Sequence, residues 1–409
     1  EGVFATEKQL FPNSALKKLI WPLVLEQVLA ITVGLADTIM VSSCGEAAVS
    51  GVSLVDMINV RIINICAALA TGGAVVVAQL LGARDNKRAC DAAKQLYLVV
   101  TVISLAISAL IMAFREPLLR AQVNSRVSML IAGLINIVNL IGNSIMIFGL
   151  KWGVAGAATS SVISRGTAAV VITILLLNPE HTVSLRGGSR FRPDGGLIGR
   201  ILQIGVPNGL ENSLFQLGRV LVVSMIALFG TTQITANALA NNLDAVAVIP
   251  GQAMSLAIIT VIGQCIGAGD EAQCRFMAKK LMKISYAVTA PTCITTIALT
   301  PLILKVYSVS PEALALGLIL ITIHNGCAIV LWPAAFSLPN ILRAANDVRY
   351  PMLCSIASMV LIRLAAGYLL AVHFGMGAIG IWIAMIGDWL CRSICFFLRL
   401  KSGKWLRYA

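Results

Sequence analysis

The sequence predicts an all-α integral membrane protein built as two homologous helical lobes around a central cavity, and three observations carry that prediction. Hydrophobic residues make up 58% of the 409 positions and charged residues 12%, with mean hydropathy +0.88; a water-soluble globule carries about 25% charged residues. Apolar runs of about 20 residues, the length that crosses a ~30 Å hydrocarbon core, recur along the whole chain. The chain also repeats itself. VVVAQLLGARDNKRACDAAKQL and TVIGQCIGAGDEAQCRFMAKKL lie 185 residues apart, pairing Gln79, Gly82, Ala83, Asp85 and Lys94 with Gln264, Gly267, Ala268, Asp270 and Lys279. A repeat of this length marks two copies of one unit.

The first lobe, residues 1–178, contains runs beginning near Leu19, Val49, Leu96, Met129 and Val154. Residues 179–201 form a polar linker holding Arg186, Arg190, Arg192 and Arg200. The second lobe, residues 202–409, has runs from Leu202, Ile234, Ile284, Leu314, Met352 and Ile379. Interior glycines and prolines are tolerated in membrane helices, and no run alternates with the period of a barrel strand. The offset of 185 also pairs Pro22 with Pro207, Glu26 with Glu211 and Gly45 with Gly230. Farther on, LRAQVNSRVSML aligns with LRAANDVRYPML at an offset of 223, so the first lobe is 38 residues short near Arg120.

Charge distribution asks for the same missing piece. The formal charge of +13 sits in short loops and at the two ends of the chain rather than on one nucleic-acid-binding face. Basic clusters occur at Lys17 and Lys18, at Arg84 to Lys94, in the linker, at Arg275 to Lys280, at Arg343 and Arg349, and at the C-terminus. With eleven spans the second lobe would be inverted; one added helix at Arg120 places every cluster on the cytoplasmic side. The expectation is a twelve-helix plan lacking its fourth helix, with both termini cytoplasmic. The Glu1 start points to an N-terminus lying beyond the sequence.

Ionisable groups inside the membrane are costly and are functional candidates by default. Glu26 and Glu211 occupy equivalent positions, which favours a shared role bracing neighbouring helices. Asp37 aligns with Val222 instead, so one lobe alone carries it. It sits about six residues from the outer end of its helix, roughly 9 Å deep at 1.5 Å per residue. In the twelve-helix topology Asn139 and Asn143, on the outward-running span from Met129, and Ser161, on the returning span, reach a similar depth in the same lobe. Their oxygens are hard ligands suited to Na⁺, and a desolvated Asp37 could equally carry a proton. Asn237, Asn241, Met225 and Met254 are possible cavity-lining residues, although interhelical hydrogen bonding and ordinary packing account for them as well. Asp388 with Arg392 reads as an i,i+4 ion pair. The ten cysteines form no CxxC and His181, His324 and His373 are far apart, so no metal or disulfide framework is indicated.

WPLVLEQVLAITVGLADTIMVSSCGEAAVSGVSL, AQLLGARD, RAQVNSRVSMLIAGLINIVNLIGNSIMIFG, GVAGAATSSVISR and LRAANDVRYPM resemble the bacterial branch of the multidrug and toxic compound extrusion (MATE) transporters across essentially the whole chain. The resemblance implies two six-helix lobes exporting an organic, cationic or amphipathic compound in exchange for Na⁺ or H⁺. It also puts Asp37, Asn139, Asn143 and Ser161 on the family's N-lobe cation-site positions. Asn143 stands where relatives are often acidic, Ser161 where they have threonine, and Val123 where they have glycine. No cofactor beyond the coupling ion is implied. The setting is a bacterial inner membrane, and the partners are a small organic substrate and lipid, with the chain a monomer. A lipid-linked oligosaccharide flippase is the alternative, supported by Arg61, Arg219 and Arg363. An intramembrane enzyme would need a catalytic pair, and none is spaced for it.

Overall fold

The computed structural model describes residues 11–42, 67–107, 125–150, 152–177, 193–304 and 310–408. Within them, α1 is Asn13–Ser42, α2 Ala67–Gly82, α3 Asn86–Ile107, α4 Ser125–Asn143 and α5 Gly153–Leu177. In the second half α6 is Gly195–Ala227, α7 Thr231–Ala247, α8 Ile249–Gly267, α9 Glu271–Leu304, α10 Pro311–Ala344, α11 Arg349–His373 and α12 Gly377–Lys401. Each apolar run that lies within the described residues carries a helix, α7 and α8 sharing one run with a break at Val248 ahead of Pro250, while most of the run from Val49 lies outside them. Among the described residues six helices, α6 and α8 to α12, are long and apolar enough to span a membrane. No strand occurs among the described residues, and the join near Arg120 lies outside them.

The chain divides into two compact bodies: Glu1–Gly209 with Ile259–Gln273, and Leu210–Ile258 with Cys274–Ala409. The first body thus takes in the repeat segment around Gly267. A Cβ on Gly267 would lie 1.7 Å from the Gln79 carbonyl oxygen, and one on Gly82 would lie 2.0 Å from that of Gln264. Repeat-equivalent glycines each receive the other copy's glutamine backbone. Any side chain would separate the two helices, so glycine is required for this approach rather than for a turn.

Helices α2 and α8 end at these two glycines, and the left-handed residue of each turn comes two positions on. The left-handed residues are Arg84 (φ 59°) and Gly269 (φ 71°). The N-cap expectation holds, since Asp85 Oδ1 accepts from the Arg88 amide at 3.0 Å and Asp270 Oδ1 from the Gln273 amide at 2.9 Å. Each cap satisfies a first-turn N–H that would otherwise lack an intrahelical partner. Asp270→Ala is expected to cost about 1 kcal/mol, read as a lowered midpoint in thermal unfolding of the detergent-solubilised protein, with Asp270→Asn nearly neutral. Asp194 caps α6 in the same way, accepting from Gly196 and Leu197. Ser310, followed by Pro311, caps α10.

Helix packing in the first body relies on small residues. A Cβ on Gly72 of α2 would meet the Ile201 carbonyl oxygen of α6 at 2.5 Å. On α4, Gly142 abuts the Ser160 hydroxyl of α5. Such backbone approach lets membrane helices pack without a hydrophobic driving force. In the second body α7 packs on α10, and α10 on α12, around Leu239, Leu320, Ile321 and Trp382.

Candidate functional site

In the first body the predicted polar residues of α4 and α5 meet. Asn139 is 2% exposed and Asn143 0%. Asn143 Nδ2 donates to Asn139 Oδ1 at 3.0 Å, and Asn139 Nδ2 donates to Ser161 Oγ at 3.1 Å. The Ser160 hydroxyl donates to the Asn139 carbonyl at 2.9 Å, clamping α5 onto α4 at this level. Immediately after Asn143 the helix widens into a π-turn, Ser144–Gly149; such turns recur at functional sites because they re-aim side chains. Asp37 lies in α1, and its side chain falls outside the described residues, as do the whole of Asp56 and Arg61. α1 itself packs against α4, where Asn136 Nδ2 donates to the Leu29 carbonyl at 3.0 Å. The cluster offers amide, hydroxyl and carbonyl oxygens, and no group of three His, Cys, Asp or Glu is present among the described residues. Hard-cation chemistry here would draw on neutral oxygens.

The second body holds two polar centres that sequence reasoning treated as bland or missed. Asn237 Oδ1 accepts from Trp382 Nε1 at 3.0 Å and from Asn241 Nδ2 at 3.1 Å, so Asn237 ties α7 to α12 and Asn241 holds it from within α7. Met225 is half-buried against Trp382, and Met254 is fully buried, presenting no surface to a cavity. Close by, His324 Nδ1 lies 2.6 Å from Asp244 Oδ1, with the Trp382 and Trp389 rings 5.2 and 4.7 Å from the imidazole. An ionisable residue inside an apolar run was the signal available for His324, but its partner is 80 positions away in the sequence.

The second centre contains the expected Asp388–Arg392 pair as a long contact and adds a closer partner on another helix. Asp388 binds Arg363 of α11 at 2.7 Å, while Arg392, its i,i+4 neighbour, is 4.0 Å away. The Ser358 hydroxyl also donates to Asp388. Glu211 braces helices as expected, bonding Arg343 at 2.7 Å and facing Arg392 at 3.7 Å. Rotation along a helix places i and i+4 on one face, but the shorter path runs between helices.

Against this helical frame, the MatE family model matches the chain twice, over residues 22–179 and 207–369, once per repeat. The chain belongs to the MatE family. Relatives include an uncharacterized transporter, YisQ, of Bacillus subtilis, 27% identical and aligned over 98% of this chain and 99% of the relative. A probable multidrug resistance protein, NorM, of Thermotoga maritima is 24% identical over 96% and 93%. The YisQ alignment runs over 455 positions, at least 46 more than this chain has residues. A solved structure described as the outward-facing conformation of a multidrug resistance MATE family transporter of the MOP superfamily superposes with TM-score 0.87 at 19% identity, covering 97% of this chain and all of that one. Membership in the MatE family makes this a multi-pass membrane transporter of the multidrug efflux type rather than an enzyme, and its fold is the all-helical two-lobed one.

Proposed function

We propose that this MatE transporter is a secondary active exporter, exchanging an organic amphipathic compound for Na⁺ or H⁺ by alternating access, with Asp37 as the coupling carboxylate. The observation that supports it is the hydrogen-bonded set Asn139, Asn143 and Ser161, built on helices packed against the one that carries Asp37. Leu29 meets Asn136 across α1 and α4. In the twelve-helix topology both helices run outward, so Asp37, eight residues beyond Leu29, comes level with Ser144 and within about a turn of Asn143. A carboxylate there would complete an oxygen set for Na⁺, or bind a proton in a partly desolvated setting. Binding would shift the balance between two packings of the first lobe, which is how a coupling ion can drive exchange. The chain would act as a monomer in a bacterial inner membrane with both termini cytoplasmic, the side on which the basic clusters fall together. Because the relatives carry multidrug resistance names, the flippase alternative is not favoured.

Asp37→Asn is expected to abolish efflux driven by an imposed Na⁺ or H⁺ gradient in proteoliposomes, while expression and membrane insertion stay at wild-type level. Gradient-driven efflux that survives the substitution would remove Asp37 from the coupling role.

A further inference from the structure

The helices of the second body carry more guanidiniums than their carboxylates neutralise. Three guanidiniums, Arg343 of α10, Arg363 of α11 and Arg392 of α12, face two carboxylates, Glu211 and Asp388, and Arg219 of α6 adds a fourth guanidinium that faces neither. The carboxylates are already committed: Glu211 to Arg343 at 2.7 Å, and Asp388 to Arg363 at 2.7 Å and to the Ser358 hydroxyl. Arg392 receives only the long contacts, and its Nε and Nη1 make no hydrogen bond among the described residues. Its charge rests on aromatic faces instead, 5.0 Å from the Phe336 centroid and 5.8 Å from that of Phe215. Phe215 is shared with Arg363, whose guanidinium lies 4.9 Å from the same ring.

Arg219 completes the surplus. It is exposed, forms no hydrogen bond or ion pair with any described residue, and lies one helical turn beyond Phe215, whose ring Arg363 faces, and next to Gly218, where a Cβ would meet Met359 of α11 at 2.5 Å. Eight residues separate it from the end of α6 at Ala227, so it sits about 12 Å in from that end. An unpaired guanidinium at such depth costs several kcal/mol. The repeat shows that the scaffold does not need these charges: Arg219 aligns with Gly34, Arg363 with Leu140 and Arg392 with Ala169. At the level where the first lobe has Asp37, the second has a surplus of bases.

We infer that Arg219, one turn along α6 from the Phe215 ring that Arg363 faces, binds an acidic group (carboxylate, sulfonate or phosphate) of the exported compound. The guanidinium fork matches such oxygens bidentately. The cargo is therefore an amphipathic organic anion or zwitterion rather than a simple organic cation. This deepens the efflux reading above and rests on it for the word cargo; the binding site itself stands on the second body alone.

Binding and transport are tested separately, on the full chain. In detergent, carboxyfluorescein binding is followed by its anisotropy, beside a rhodamine ester of the same ring system. Arg219→Gln is expected to weaken carboxyfluorescein about tenfold or more, the worth of one charge-assisted hydrogen bond, and to leave the rhodamine ester unchanged. Arg219→Lys, with the charge but no fork, should fall between. Equal carboxyfluorescein affinity in wild type and Arg219→Gln overturns the site. In neutral-lipid proteoliposomes the wild type is expected to move carboxyfluorescein against its gradient when an ion gradient is imposed. If carboxyfluorescein binds but neither dye moves, the efflux reading fails and the acidic-group site survives. If phosphatidylglycerol added to the vesicles displaces carboxyfluorescein and blocks its movement, the site holds a lipid headgroup and the cargo assignment is overturned.

Discussion

Gly267→Val is expected to lower the thermal midpoint of the solubilised protein more than any other single substitution in the first body. A Cβ at Gly267 would sit 1.7 Å from the Gln79 carbonyl oxygen and 2.5 Å from its carbon. Those are backbone atoms of α2, so no rotamer change relieves the clash, and ordinary contact requires the helices to part by about 1.5 Å or more. α2 is not free to retreat, because Gly72 holds it against the Ile201 carbonyl of α6. Parting would also loosen Gly263 from Ala78 and pull Gly82 off the Gln264 carbonyl. Overpacking of this kind costs roughly 3 kcal/mol or more. Gly269→Ala is the control. It lies two residues on, at φ +71° with open space around it, and pays only the left-handed penalty of about 1 kcal/mol. Differential scanning fluorimetry in one detergent separates the two, and equal midpoints for Gly267→Val and wild type would show that the glycine approach carries no stability.

The same glycines show what a single sequence can and cannot disclose. Their place in the repeat, the aspartate cap three residues on, and the helices either side were all readable, since each depends on local pattern and spacing. Their role was not, because the atom that forbids a side chain belongs to the other copy of the repeat. Asn139, Asn143 and Ser161 were legible as a group because depth in a membrane can be counted in residues from a helix end. His324 with Asp244 and Arg363 with Asp388 were not, since inter-helix partners 80 and 25 residues apart leave no periodic trace. The π-turns at Ser144–Gly149 and Met359–Ala366 were equally silent: each follows from packing against neighbours rather than from composition.

Asp388→Ala is expected to destabilise the second body by about 3–5 kcal/mol, the cost of leaving a buried charge uncompensated. Asp388 is 0% exposed and Arg363 3%, and the pair is joined at 2.7 Å. Without the carboxylate, the charged groups left beside Arg363 are Arg392 and Arg219, both of its own sign, and the Ser358 hydroxyl is left with the Ser355 carbonyl alone. Glu211 cannot substitute, because it already serves Arg343 and lies nearest Arg392. Replacing both partners by apolar groups of similar length, Asp388→Leu with Arg363→Met, removes the buried charges together and should restore most of the lost stability, as is common for buried pairs. The cycle separates a charge effect from a packing effect. If the double variant unfolds as early as Asp388→Ala alone, volume rather than charge holds α11 to α12. If it recovers, Arg363 has no structural duty that Met cannot perform, and its retained charge is left to the acidic group bound at Arg219.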